Sequence, residues 1–138
     1  MTVILLLIVT ALLWGSTPIV EKVALTKVDP LIGVTIRSAT VTVSLFLLTF
    51  FLGKGKALME VDGKSFLLFS ASGMMAGLLG MWTYYSALKM EATSKIVPIA
   101  ATYPLVTALF SVLILREEVT LPRVVGTALI VIGIWFVK

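Results

Sequence analysis

Five long apolar stretches take up nearly all of the 138 residues, and each is long enough to cross a bilayer as a helix. They run at about residues 2–25, 30–52, 65–88, 95–115 and 121–137. A span needs roughly 20 apolar residues, and 17 to 25 are tolerated. Lipid offers no partners for open sheet edges, so stretches of this length read as helices. A membrane barrel would instead show segments of about 10 residues with alternating polarity, which this chain lacks. The expected fold is an all-α integral membrane domain of five transmembrane helices, covering residues 1–138. Five is an odd number, so the two ends of such a domain face opposite sides of the membrane.

Composition supports lipid as the solvent. Hydrophobic residues make up 59% of the chain and charged residues 13%, whereas a soluble domain of this size carries about 25% charged residues to cover its surface. The net charge is +4, yet the basic residues are scattered at helix ends and form no patch. This fits anchoring at anionic headgroups and argues against a nucleic-acid partner. There is no cysteine and no histidine, which removes thiol chemistry, the usual transition-metal sites and histidine proton relays. No cofactor or metal is expected. The first apolar run lacks a basic leader and a small-residue cleavage site, so it reads as a retained span.

The connections, at residues 26–29, 53–64, 89–94 and 116–120, are short and polar. Asp29 before Pro30, and Thr120 just ahead of Pro122, are helix-start signals. Basic residues in short loops set orientation. One side would hold Lys54, Lys56, Lys64, Arg116 and Arg123, and the other Lys22, Lys27, Lys89, Lys95 and Lys138, five against five. Counting Lys22 and Lys95 as membrane-embedded makes it five against three. A bias this weak permits insertion both ways.

Glu21 is the only acid well inside an apolar stretch. Thr10, Trp14, Thr17 or Pro18, and Glu21 recur at helical spacing and line one face. Arg37 is the matching cation. Glu21 lies about six residues before the first turn and Arg37 about seven after it, so at 1.5 Å per residue both sit roughly 10 Å from it. Antiparallel packing brings them to the same depth. Such a pair either pins two helices together or serves as a protonatable site or substrate counter-ion, since a charge in mid-span costs about 2.5–3.5 kcal/mol on insertion scales.

Gly73, Gly77 and Gly80 share a face of the third stretch with Tyr84, and Gly73-x-x-x-Gly77 permits close helix packing. Tyr85 lies on the neighbouring face, and Trp82 reads as an interfacial or packing residue. Pro98 and Pro104 each remove a backbone donor, so the fourth stretch bends, with Thr102 and Tyr103 between them. Thr107 and Ser111 continue the Tyr103 face. Gly126 and Gly133, seven apart, suit helix association within the bundle or between subunits. Glu117 and Glu118 read as interfacial charges. No nucleophile–base pair, phosphate loop or metal-ligand cluster is present in the sequence, so no enzyme is expected.

Several segments together resemble the EamA-type family of the drug/metabolite transporter superfamily. They are Leu13-Trp14-Gly15-Ser16-Thr17-Pro18 with Glu21-Lys22, then Asp29-Pro30 followed by Arg37, then Tyr84-Tyr85-Ser86-Ala87-Leu88-Lys89. Pro98 and Tyr103-Pro104 precede Leu115-x-Glu117, and Gly126 to Gly133 closes the pattern. One departure is Arg116, where the family usually carries glycine before the glutamate. Most members hold two such repeats in ten helices, and this chain is similar to the single-repeat subgroup.

The resemblance implies one half of a ten-helix inverted-repeat architecture and transport of small metabolites, amino acids or drugs by alternating access. The related small multidrug transporters work as antiparallel dimers with a glutamate in their first helix, which implies a homodimer here, possibly antiparallel. Trp14, Thr17, Tyr84, Tyr85, Thr102 and Tyr103 would line the cavity. Glu21 would couple to an ion with Arg37 beside it, and Pro18 would join the other prolines and glycines in shaping the helices. A multi-pass protein of a prokaryotic plasma membrane follows. The alternative is a membrane subunit that completes a hetero-oligomeric transporter or a lipid-carrier flippase.

Overall fold

The computed structural model describes residues 2–118 and 120–136, and all regular secondary structure among them is helical. Val137 and Lys138, at the end of the fifth stretch, lie outside the described residues. The fold divides into two compact units, residues 1–90 and 91–138.

The first unit begins with α1 (Thr2–Leu25), which runs 24 residues without a charge before Glu21. Pro18 lies inside this helix and is buried. The chain then turns in four residues. Asp29 has extended backbone, and its carboxylate accepts the Leu31 N–H at 2.9 Å, so it caps α2 (Pro30–Phe51). Pro30 in the first turn forgoes a donor that would have had no partner there. Gly53 ends α2 at φ +66°, donating to the Phe50 carbonyl while Lys54 donates to that of Thr49. This pair of bonds satisfies two terminal carbonyls and needs the left-handed conformation that glycine adopts freely.

A five-residue helix, α3 (Gly55–Met59), fills part of the polar connection. A 28-residue helical rod then runs from Gly63 to Met90. It consists of α4 (Gly63–Ser72), a π-helical segment (Gly73–Gly80) and α5 (Met81–Met90). The carboxylate of Asp62 caps α4 by accepting the Ser65 N–H at 3.0 Å, and hydrogen bonds from Ser65 hold this carboxyl below its ordinary range. The wider π turn is a departure from the plain helix expected over residues 65–88. A Cβ at Gly80 would stand 3.1 Å from the Met75 carbonyl oxygen, five residues back. Five is the spacing of π-helical hydrogen bonds, so glycine suits this point.

Within this unit α5 packs against both α1 and α2 near their shared turn. The buried hydrophobic residues Leu25, Val34, Tyr85 and Leu88 mark that junction. Elsewhere the apolar side chains face outward, from Val3 to Val9 on α1 and from Phe66 to Phe69 on α4. An apolar exterior of this extent is the surface a bilayer covers.

The second unit holds α6 (Thr93–Ala100), α7 (Tyr103–Leu115) and α8 (Leu121–Trp135). The expected bend between the prolines takes the form of a break at Ala101–Thr102. Pro98 lies inside α6, and Pro104 occupies the first turn of α7. In an unbroken helix the nitrogen of residue 104 would donate to the Ala100 carbonyl, and proline has no hydrogen to give. Arg116 ends α7 at φ 55° and donates to the Ser111 carbonyl, as does Glu117 at 3.2 Å. The left-handed turn that favours glycine is thus made here by an arginine.

Four helical stretches, Thr2–Leu25, Pro30–Phe51, Gly63–Met90 and Thr93–Leu115, are long and apolar enough to cross a membrane. The fifth stretch forms α8, whose 15 residues rise about 22 Å against a hydrocarbon core of about 30 Å. The helical class is as expected, with four full-length spans and a shorter fifth helix among the described residues.

Candidate functional site: a shared carboxylate where three helices meet

Glu21, on the last two turns of α1, is the centre of the site. Its Oε1 accepts a hydrogen bond from the Tyr85 hydroxyl at 2.7 Å. Arg37 Nε of α2 lies 3.7 Å from the same oxygen. One carboxylate oxygen therefore joins α1, α2 and α5. The Glu21 side chain is only 10% exposed while that of Arg37 is 43% exposed, so the acid is covered and the guanidinium is partly exposed. Glu21 and Arg37 meet as their equal distance from the first turn predicts, and Tyr85 is a third member that this spacing does not supply.

The Tyr85 ring reaches Glu21 because α2 has no side chain in its way. A Cβ at Gly33 would sit 3.2 Å from Tyr85 Cδ2, 3.3 Å from Cε2 and 3.6 Å from Leu25 Cδ2. Gly33 comes one helical turn before Arg37, so one face of α2 seats the ring and then presents the cation. Gly33 escaped the sequence reading. Its signal was the four-residue spacing to Arg37 in the same stretch.

Two lysines tie the same junction from outside. Lys22 Nζ donates to the Leu88 carbonyl at 2.5 Å and to that of Lys89 at 3.3 Å. Both carbonyls belong to the last turn of α5, where no intrahelical donor follows. Lys89 Nζ in turn donates to the Val28 carbonyl at 2.9 Å, in the α1–α2 turn. The sequence gives these lysines as loop charges, with Lys22 alternatively membrane-embedded, and does not show this pairing. Their pairing needs two helix ends to coincide, which no local pattern shows.

The other candidates distribute as follows. Thr17 is partly covered beside buried Pro18, and its hydroxyl donates to the Leu13 carbonyl at 2.7 Å. Thr10 likewise bonds Leu6 O at 2.9 Å. Trp14, on the same face, is 66% exposed. The Tyr84 ring lies 6.3 Å from that of Tyr85, tilted by 46°, and is partly exposed. A Cβ at Gly73, Gly77, Gly126 or Gly133 meets nothing within 4 Å, so among the described residues no neighbour closes on these glycines.

Thr102 and Tyr103 belong to the second unit. Thr102 donates to the Ile99 carbonyl at 2.9 Å, and Tyr103 is exposed. Tyr103, Thr107 and Ser111 line a groove of about 580 Å³ in that unit, with Val124 and Thr127 on α8 and Glu117 and Glu118 beyond the end of α7. The sequence placed the first three on one face. It read the glutamates as interfacial charges, and the structure sets both on the groove wall. No cluster of side chains suited to a metal ion occurs among the described residues.

Comparison with known proteins shows the family. The family model for the EamA-like transporter family matches residues 1–138. An uncharacterized protein of Methanocaldococcus jannaschii is 33% identical over 92 residues. That match takes in 67% of this chain and 66% of the relative, just under two thirds of the relative's length. No solved structure matches. With its apolar helices and a family match along its whole length, the chain is an integral multi-pass membrane protein that belongs to the EamA-like transporter family.

Proposed function

We propose that the chain is half of a secondary transporter, moving small metabolites, amino acids or drugs by alternating access as a homodimer of inverted copies in a prokaryotic plasma membrane. Two five-helix copies then make the ten-helix inverted repeat, a common plan for such carriers. The observation that carries this reading is the covered Glu21 carboxylate, bonded across two helix interfaces inside a protein with an apolar exterior. A buried acid in a membrane segment is costly unless it is paired, and a site that exchanges its partners can exchange a proton or a ligand. The near-even loop charges support dual insertion, and the open glycine faces leave room for a second copy to approach closely. α8 completes the fifth crossing if its apolar run is extended by flanking residues at the interface.

In this mechanism Glu21 is the coupling acid, and Arg37 sets its charge state and orientation. Trp14, Thr17, Tyr84 and Tyr85 are the substrate-lining candidates of the first unit, and Thr102 and Tyr103 are those of the second. The test is flux across a panel of metabolites and cations in proteoliposomes holding the purified protein. Glu21→Gln should abolish coupled transport and leave the protein folded. Full coupled flux in that variant would remove Glu21 from the mechanism.

A further inference from the structure

The contacts of Arg37 point to a substrate class. Its Nε faces Glu21 Oε1 at 3.7 Å. Among the described residues that is its only recorded polar contact, so the two terminal NH₂ groups present an unfilled fork. The side chain is 43% exposed, while the acid behind it is 10% exposed. The cation is therefore the more accessible of the two charges. A planar guanidinium fork matches a carboxylate through two parallel hydrogen bonds.

Charge balance then restricts the ligand further. With Glu21 ionised and paired to Arg37, the site is neutral. A cation beside Arg37 would leave the site positive. A monoanion on the fork would leave two carboxylates facing one guanidinium, in surroundings that penalise net charge. Taking one proton onto Glu21 restores neutrality. Glu21 Oε1 already receives Tyr85 and Arg37, and Oε2 has no recorded partner among the described residues. The titratable and charged groups facing Glu21 are Arg37 from α2 and Tyr84 and Tyr85 from α5. Lys22 is engaged with the α5 carbonyls.

We infer that the site binds a small monocarboxylate on the Arg37 fork together with one proton on Glu21, as an electroneutral pair. The balance is one carboxylate and one proton from solution. The carboxylate pairs with the guanidinium, and the proton forms an O–H bond on Glu21 with no other bond made or broken. Binding is linked to protonation, so affinity for the anion rises as pH falls. The inference rests on the reading of Glu21 as the coupling acid and adds the ligand to it.

The experiment measures thermal stabilisation and proton uptake of the detergent-purified protein with benzoate, acetate, benzamide and benzylammonium, between pH 6 and 8. Benzoate or acetate should stabilise the protein, about tenfold more tightly per unit fall in pH, with about one proton taken up per anion bound. Benzamide and benzylammonium should have no effect. Glu21→Gln should bind the carboxylate without proton uptake or pH dependence. Arg37→Gln should lose binding. Arg37→Lys, which keeps the charge and guards against a folding defect, should bind at least tenfold more weakly than the native protein.

Failure of every carboxylate to stabilise the protein, or stabilisation by benzylammonium instead, overturns the inference. A lipid phosphate could also satisfy a guanidinium, so a parallel arm adds phosphatidylglycerol in nanodiscs. If the lipid protects Arg37-dependent stability and the carboxylates do not, the fork is a lipid anchor and the inference fails. Coupled flux that depends on Glu21 without carboxylate binding would sink this inference and leave the transporter reading intact. Carboxylate binding with proton uptake but no flux would do the reverse.

Discussion

In the first unit, beside hydroxyls such as Thr10 and Thr17 that bond their own helix, Tyr85 and Lys22 reach a different helix and Lys89 reaches the α1–α2 turn, whereas the hydroxyls of Thr102, Thr107 and Ser111 in the second unit all bond a carbonyl three or four residues back. Both arrangements satisfy polar atoms in an apolar setting, but their consequences differ. A bond to another helix fixes where that helix sits, and losing it strands the partner. A hydroxyl that bonds its own helix is satisfied wherever the helix goes. The buried residues follow this division: Leu25, Val34, Tyr85 and Leu88 all belong to the cross-linked junction. The second unit offers an open groove lined by locally satisfied hydroxyls.

The largest test of this contrast removes a cross-helix cap. Lys22→Met keeps the length and apolar stem of the side chain but withdraws the charge from the Leu88 and Lys89 carbonyls. A hydrogen bond from a charged donor contributes about 1.5–3 kcal/mol, so a loss of about 2 kcal/mol is expected in chemical unfolding of the detergent-solubilised protein. The effect should act through α5 and loosen the Tyr85–Glu21 bond as well. A change below about 0.5 kcal/mol would mean that the lysine is decorative and that apolar packing alone sets the junction.

A pair of glycines sharpens the comparison at smaller scale. Gly15 and Gly33 both lie inside helices, and alanine gains about 1 kcal/mol over glycine there by propensity alone. At Gly15 a Cβ meets nothing within 4 Å, while at Gly33 it presses on the Tyr85 ring at 3.2 Å. That ring is 4% exposed and tethered through its hydroxyl to Glu21, so it has little room to move aside. Overpacking typically costs about 1–3 kcal/mol, enough to reverse the propensity gain. Gly15→Ala should raise the unfolding midpoint, and Gly33→Ala should lower it and weaken the flux proposed for the Glu21 site. Two substitutions of the same sign would show that the Tyr85 seat is soft.

Much of this was legible in the chain itself. Apolar stretches without charges set the helices, Asp29-Pro30 set the first turn, and counting residues from that turn brought Glu21 level with Arg37. Each of these inferences uses local chemistry or a distance along one helix. What escaped depended on contacts between segments far apart in sequence. Tyr85 and Glu21 are 64 positions apart, and Lys22 and Leu88 are 66; a single sequence gives no register for that third helix. The π-helical turn at Gly73–Gly80 escaped for another reason. Glycines spaced by four suit close α-helix packing and a widened turn equally well, and only the carbonyl of Met75 beside Gly80 distinguishes them. Arg116 shows the opposite failure, because it makes a left-handed turn with no residue type to announce it.

The smallest expected effect on stability falls in the second unit and separates folding from transport. Thr107→Val removes a hydroxyl whose recorded bond is to the Tyr103 carbonyl, at 3.2 Å on the same helix. The substitution keeps the shape and strands no partner on another helix, so stability should change by less than about 0.5 kcal/mol. Thr107 nevertheless lines the groove beside Tyr103 and Ser111. If substrate passes along this wall, the lost hydroxyl costs about 1 kcal/mol of hydrogen bonding, and half-saturation of flux should shift about fivefold with the unfolding midpoint unchanged. A shift in stability of the size expected for Lys22→Met would show that Thr107 also holds helices together, and the division between cross-linking and self-satisfied polar groups would fail. Unchanged flux with unchanged stability would confine substrate recognition to the Glu21–Arg37–Tyr85 junction.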